Sequence, residues 1–492
     1  MNNYNQLLKR AKTFYKAKKF DEAKDCLLDI LNNFQIENTL QLKIYLLLSE
    51  MMTEVKNFKE VEIYISKYLE IDPDNPKILN FLANNFLKMR NFKNAEIYYL
   101  KAINIDKNYE AALVNLALLL ENLGRKIEAL NYYKKVYEIN NNNLAVLFNI
   151  IRLNPEFLDE NQINHIRKKI TDNYNIHNSA ANFILSNYEK KKKNYDKEIF
   201  FLEKANQFSF LDQEKINKVN LTYWLNFIPS KYDKFTFIKD DGEETGTNSL
   251  SPIFVIGLPR SGSTLTEMII SASKNNIIDI GESNLINWVF LNSHDKNFSN
   301  NLSIDNILKI NIKKIKEKTY NILKNMNISL NNEKTFLLDK SLENFFYVEL
   351  ILKIFPKAKF IHTHRNLYDN IISIYREFLN QISWSHSLDN ILQYVDNYLR
   401  IISEQKRKYS RSIISVSLEE LTSSPKNKSL EIFKFCDLKW DNECISLENK
   451  KDFFSQTASR NQIRMGIFKY DENKYKPYYY LLKKYKKKYK WL

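Results

Sequence analysis

Over its first 145 residues the chain returns to the same pattern every 34 positions, and no other feature constrains its fold as tightly. Aligned on small residues, Ala23, Val61, Ala95 and Ala129 lie 38, 34 and 34 positions apart, the longer first interval carrying a four-residue insertion near Asn38. Leu82, Ala83, Phe86, Ala95, Tyr99 and Ala102 of one unit correspond to Leu116, Ala117, Leu120, Ala129, Tyr133 and Val136 of the next. A unit of this length cannot bury its apolar face alone, so stacked neighbours must build the core. Tyr98, Tyr99, Tyr132 and Tyr133 are expected to pack units against one another.

These offsets resemble the tetratricopeptide repeat, with Pro73 where that family places its helix-ending proline. A weaker copy from Asn182 to Gln207 keeps Leu202 and Ala205 but has Glu198 at the small position. The reading is an all-α solenoid domain over 1–215, with clear repeats over 4–145 and a degenerate continuation to 215. The resemblance implies a concave surface for a peptide or protein partner, or a rigid, oligomerising wall.

A chain of 492 residues exceeds one ordinary core, and a polar stretch, Lys239 to Ser249, divides it. The expected order is a linker over 216–249, with this stretch as a mobile loop, then an α/β domain over 250–492. The net charge of +16 comes from lysine spread along the whole chain rather than a local patch, which argues against nucleic acid as partner. The densest basic run, Lys483 to Lys490, alternates with tyrosines and reads as a solvated face. No run of 18 apolar residues is present, the first residues are polar, and three scattered cysteines suit a reducing compartment. The expectation is a cytoplasmic protein without a membrane span.

The second informative stretch is Ile253 to Leu265, where two of the chain's seven glycines fall within six residues after an apolar run. Strand, glycine loop and helix in that order surround one anion with backbone N–H groups and the positive end of a helix dipole. Gly257-x4-Gly262-x-Thr264 nearly fits the nucleotide phosphate loop, but Ser263 stands in the lysine position and Arg260 supplies the cation instead. This makes a kinase or nucleotide hydrolase the weaker alternative. Strand-like runs at 253–256, 335–338, 359–362 and 413–416 then alternate with helical patterns, which implies a mostly parallel sheet with ligands at its carboxyl edge. Arg365 would leave the end of one such strand, and Ser373 would follow on the next helix. A guanidinium fork and a hydroxyl there can grip a terminal phosphate.

Gly257 to Leu265, Gly281-Glu282, Leu338-Asp339-Lys340, His364-Arg365 with Ser373, and Thr457 to Ser459 with Gln462 to Arg464 together resemble the sulfotransferase superfamily. The match is to the group that links tetratricopeptide repeats to an enzyme related to protein-tyrosine sulfotransferases. The resemblance implies a P-loop-like α/β fold and 3′-phosphoadenosine 5′-phosphosulfate as donor co-substrate, with no metal required. By that resemblance Pro259, Arg260, Ser261, Gly262, Ser263 and Thr264 hold the 5′-phosphosulfate, and Arg365 and Ser373 hold the 3′-phosphate. Glu282 is then the general base, Arg260 and Lys340 stabilise developing charge, Ser459 touches the sulfate, and Arg464 belongs to the segment closing over the nucleotide. Relatives carry a proline soon after the lysine where this chain has Ser341-Leu342-Glu343, and Gly466 stands where proline is usual. The implied activity is sulfuryl transfer to an acceptor hydroxyl, with a tyrosine peptide as the first candidate and glycan or lipid hydroxyls left open. A non-catalytic repeat scaffold is the other alternative. His362 and His364 share one strand face but lack a third ligand nearby in sequence, and read as core or rim residues.

Overall fold

The computed structural model describes residues 3–238, 250–293, 308–326, 328, 335–447, 454 and 463–492. The polar stretch 239–249, together with Thr457, Ala458, Ser459 and Gln462, lies outside the described residues. The chain divides into two compact units, Met1–Leu119 with Glu317–Ser329, and Leu120–Lys316 with Leu330–Leu492.

The first unit is built from helical hairpins, Asn3–Lys16 with Phe20–Asn33, Asn38–Glu54 with Phe58–Ile71, and Pro76–Lys88 with Phe92–Ile105. Ala23, Val61, Ala95, Tyr99 and Ala102 are fully buried where helices meet, and the Tyr99 hydroxyl donates to Asn84 Oδ1 at 2.5 Å. Asn57, Asn75 and Asn91 cap helix starts through their side-chain oxygens. The turn inside each hairpin ends on a left-handed residue, Lys18, Lys56 and Arg90 here and Gly124 in the second unit. These positions repeat at the intervals of the small residues, because every unit reverses its chain the same way. In each, an amide beyond the left-handed residue bonds back to the helix end, as Asn57 N to Met52 O and Asn91 N to Phe86 O do at 2.8 Å.

The second unit opens with the later helices, of which Ile176–Lys191 and Tyr195–Asp212 form the degenerate hairpin. Glu198, the residue that spoils the repeat, is buried there and paired at 2.5 Å with Arg376, and it also accepts from the Tyr478 hydroxyl at 2.9 Å. Asn206 on the same helix donates to Tyr375 O at 3.2 Å. The copy departs from the repeat because this helix docks on the α/β layer. Residues 216–238 correct the linker reading: they form the end of a helix, a π-helical turn Thr222–Phe227, a short helix Ile228–Lys231 and a strand. Tyr223, Leu225, Phe227, Ile228 and Tyr232 are buried, too much apolar surface for a solvated linker.

The strands are β1 (Phe235–Ile238), β2 (Leu250–Gly257), β3 (Ile277–Gly281), β4 (Leu308–Asn311), β5 (Thr335–Asp339), β6 (Lys359–His364) and β7 (Ile413–Ser417). β1 and β4 pair with each other, and the other five form a parallel sheet in the order β3-β5-β2-β6-β7. β2 is buried along most of its length, as a central parallel strand must be. The chain leaves β2 towards β3 on one side and later returns to β6 on the other. β2 is therefore the switch point, where a crevice opens beyond the carboxyl ends. The tail is a 3-10 helix, Lys476–Tyr485, that buries Tyr478, Leu482 and Tyr485, with Tyr489 also buried, while Lys483, Lys484 and Lys486 to Lys488 face solvent. No helix among the described residues is long and apolar enough to cross a membrane.

Candidate functional site

At the end of β2 the backbone is forced into shapes that favour anions. Gly257 has φ of 145°, and a Cβ there would meet Thr363 O at 2.4 Å, so β6 passes too close for any side chain. Arg260 and Gly262 both take positive φ, 67° and 96°. Alternation of this kind turns successive N–H groups inward as a nest. The helix Ser263–Ser271 follows, and its first backbone bond is Thr266 N to Gly262 O at 3.0 Å. The amides of Ser263, Thr264 and Leu265 precede that bond and lie at the dipole's positive end. Ser261 is fixed between Leu258 O at 2.7 Å and Thr363 Oγ1 at 2.8 Å, and Asn370 Nδ2 donates to Pro259 O at 2.6 Å.

Arg260 reaches across to the helix Leu367–Tyr375, where its Nε meets Ser373 Oγ at 3.4 Å and its terminal nitrogen pairs with Glu377 at 3.2 Å. Arg365, one residue past β6, donates to Arg260 O at 3.1 Å and to the Tyr470 hydroxyl at 3.0 Å. Its guanidinium carbon lies 4.9 Å from the Tyr470 ring centre and 5.2 Å from that of Tyr475. Arg365 Nε is buried with no hydrogen-bond partner among the described residues, a donor open to an acceptor. Burial alone would raise the Tyr475 phenol, yet Lys474, the Ser373 hydroxyl, Arg260 and Arg365 together bring it below its ordinary value. The same phenol donates to Ser373 Oγ at 3.1 Å. Arg260, Gly262 to Leu265, Arg365, Tyr470 and Tyr475, with Lys469, Asp471 and Lys474, line one cleft, and Ser373 is bonded to Tyr475 behind it. An anionic ligand fits this lining of nest, helix start and Arg365.

The second group lies at the ends of β3 and β5. Lys340 N donates to Gly281 O at 2.9 Å, which sets Lys340 beside Glu282. The lysine is 1% exposed, and its Nζ lies 2.5 Å from Glu282 and 3.7 Å from Glu267. Burial would lower its pKa, but the two glutamates more than offset that and raise it. Glu282 keeps 48% of its side chain exposed. Asp339 is buried and held by Ser283 Oγ at 2.8 Å and Ser341 N at 2.7 Å.

Among the expected site residues, Pro259, Arg260, Ser261, Gly262, Ser263, Thr264, Arg365 and Ser373 thus gather at one edge of the sheet, and Glu282 and Lys340 pair at the same carboxyl edge. Arg464 needs correction. Its terminal nitrogens donate to Glu121 O at 3.1 Å and Asn122 O at 2.6 Å, carbonyls at a helix end, and it does not line the cleft. His362 is core, bonded to Ser415 Oγ at 3.2 Å and Tyr398 OH at 2.5 Å, and burial lowers its pKa to about 3. Tyr470, Lys474 and Tyr475 escaped the sequence reading because their segment carries no motif.

Residues 252–442 match a model described as the sulfotransferase family, and residues 76–109 and 110–143 match the tetratricopeptide repeat. The chain is 28% identical over 314 residues to an uncharacterized protein of Aquifex aeolicus (strain VF5), covering 61% of this chain and 40% of that relative's length. Among solved structures it is similar to the sulfotransferase domain of the Synechococcus PCC 7002 olefin synthase, at 16% identity, 43% of this chain, 80% of that one and a TM-score of 0.29. It is also similar to sulfotransferase STF9 of Mycobacterium avium, at 15% identity, 49% and 77% coverage and a TM-score of 0.28. PilF of Pseudomonas aeruginosa is similar at 15% identity, 42% and 90% coverage and a TM-score of 0.31. Residues 76–143 are thus similar to tetratricopeptide repeats and residues 252–442 to the sulfotransferase family.

Proposed function

We propose that the protein is a sulfotransferase that moves a sulfuryl group from 3′-phosphoadenosine 5′-phosphosulfate to an acceptor hydroxyl, with a protein tyrosine as the first candidate acceptor. The observation that carries this reading is the gathering of the loop nest, the start of the helix Ser263–Ser271 and Arg365 in one cleft, beside Tyr475, which bonds Ser373. The donor supplies an activated sulfur–oxygen bond to a phosphate leaving group. In this reading Pro259 to Thr264 hold the 5′ end and Arg365 and Ser373 the 3′-phosphate, while Lys469 and Lys474 add positive charge to the cleft.

Glu282 takes the proton from the acceptor hydroxyl as that oxygen attacks sulfur in line. The new oxygen–sulfur bond forms as the bond from sulfur to the bridging phosphate oxygen breaks. Arg260 and Lys340 stabilise the charge that gathers on the departing oxygen. Lys340 holds Glu282 at 2.5 Å and so positions its carboxylate at the carboxyl edge of the sheet. Ser459 keeps its assigned contact with the sulfate. We further propose a cytoplasmic setting, in keeping with three buried reduced cysteines, and a peptide or protein partner on the repeats. No metal is assigned a role.

The test is incubation of the full chain with donor labelled in the sulfuryl group and a panel of peptide, glycan and lipid acceptors. Label transfer without added Mg²⁺ supports the reading. Absence of transfer combined with Mg²⁺-dependent hydrolysis of a nucleoside triphosphate would overturn it.

A further inference from the structure

Charge is divided unevenly across the proposed site. The donor cleft gathers Arg260, Arg365, Lys469 and Lys474 with one lining carboxylate, Asp471, whereas the ends of β3 and β5 set Lys340 among several carboxylates. One of these, Glu343, takes no part in the mechanism above. It sits in the first turn of the 3-10 helix Leu342–Phe346, three residues beyond Lys340, and its Oε1 is buried without a hydrogen-bond partner. The next residue, Asn344, is fully buried, and its Oδ1 also lacks a partner. Nearby donors are spent elsewhere: the Tyr223 and Tyr347 hydroxyls go to Asn287 Oδ1 at 2.8 and 2.6 Å, and Asn344 Nδ2 goes to Asp339 at 3.3 Å. Two neighbouring acceptor atoms, Glu343 Oε1 and Asn344 Oδ1, thus have no hydrogen-bond partner among the described residues, a condition that costs stability unless a ligand relieves it.

We propose that Glu343 sets the acceptor preference, favouring a hydroxyl compound that carries a positively charged amine over its neutral or acidic analogues. This rests on the sulfotransferase reading and deepens it. Complementary charge would draw such acceptors to the β3–β5 end, away from the cationic donor cleft. The groups that act on the Glu343 carboxyl are Asp339 and Glu282 as like charges, Lys340 as the opposing one, and the phenols of Tyr223, Tyr347 and Tyr394. Burial, with those like charges, raises its pKa to about 7. The carboxyl gains charge as pH rises through that value, so cationic acceptors should gain most between pH 6 and pH 8, while their amines stay protonated.

The test uses the full chain with two series of matched acceptors: tyramine, 4-ethylphenol and 3-(4-hydroxyphenyl)propionate, and glucosamine, glucose and glucuronate. In at least one series the cationic member should exceed the acidic one in kcat/KM by about tenfold at pH 8, with a smaller margin at pH 6. Glu343→Gln should bring that ratio close to one, Glu343→Asp should restore part of it, and both should bind adenosine 3′,5′-bisphosphate like the wild type. An acidic or neutral member preferred in both series would overturn the inference. So would a preference that survives Glu343→Gln, or no transfer to any of the six compounds by a protein that binds the bisphosphate. Failure to bind the bisphosphate would instead overturn the sulfotransferase reading itself.

Discussion

Lys340 and Glu282 show how a residue's neighbours decide its chemistry. A lysine buried to 1% exposure remains charged because Glu267 and Glu282 face it, and Glu282 is at once its partner and the proposed base. Glu282→Gln should lower turnover by about 10²-fold while leaving bisphosphate affinity near the wild-type value. Activity within a few-fold of wild type would assign the base elsewhere. Histidines give a second expectation at this scale. Burial lowers His362 to about 3 and His386 to about 4, whereas an unfolded histidine titrates near 6.5. As pH falls below 6.5 the unfolded chain takes up protons that the folded chain refuses, so stability should fall by about 1.4 kcal/mol per pH unit for each histidine, down to pH 4. Denaturation midpoints at pH 7 and pH 5 measure this, and His362→Asn should flatten the slope. Arg260, Lys340 and Arg365 were legible in sequence because each leaves a strand end beside a recognisable motif. Arg464 misled, since a hydrogen-bonding arginine in a plausible segment serves a helix end as readily as a nucleotide.

At the level of elements, four of the five sheet strands, β2, β5, β6 and β7, and the first three hairpins were readable because their pattern is strong and their boundaries carry glycine, proline or asparagine, whereas β3 is too short and too polar to stand out. The run 216–238 was not, since its apolar residues follow neither period: they lie on a π-helical turn and a four-residue helix. The left-handed hairpin residues are a shared structural cost of the repeats. Lys193 occupies this conformation at φ of 59° in the degenerate hairpin, where Gly124 does so without strain in an earlier one. Lys193→Gly should therefore raise unfolding free energy by roughly 0.5 kcal/mol, the left-handed penalty of about 1 kcal/mol less glycine's extra chain entropy. Urea denaturation decides the sign. A loss of stability would mean that the turn is held by the lysine side chain rather than by backbone geometry.

For the whole molecule, the division after Leu119 was hidden because the repeat pattern runs on past it. What separates the later helices from the earlier ones is docking: Glu198, Asn206 and Tyr478 join the degenerate hairpin to the helix that carries Ser373. Degenerate hairpin and transferase layer belong to one compact unit, so donor binding at the sheet edge should stabilise both together. The central claim is that one cleft holds two separated phosphates of one nucleotide. Calorimetric titration of the full chain with adenosine 3′,5′-bisphosphate, AMP and ATP tests it most directly. The bisphosphate should bind far more tightly than the other two, and Arg365→Ala should cost it on the order of 2 kcal/mol while leaving AMP nearly unchanged. Equal affinity for AMP and the bisphosphate, or an Arg365→Ala protein that still prefers the bisphosphate, would contradict it.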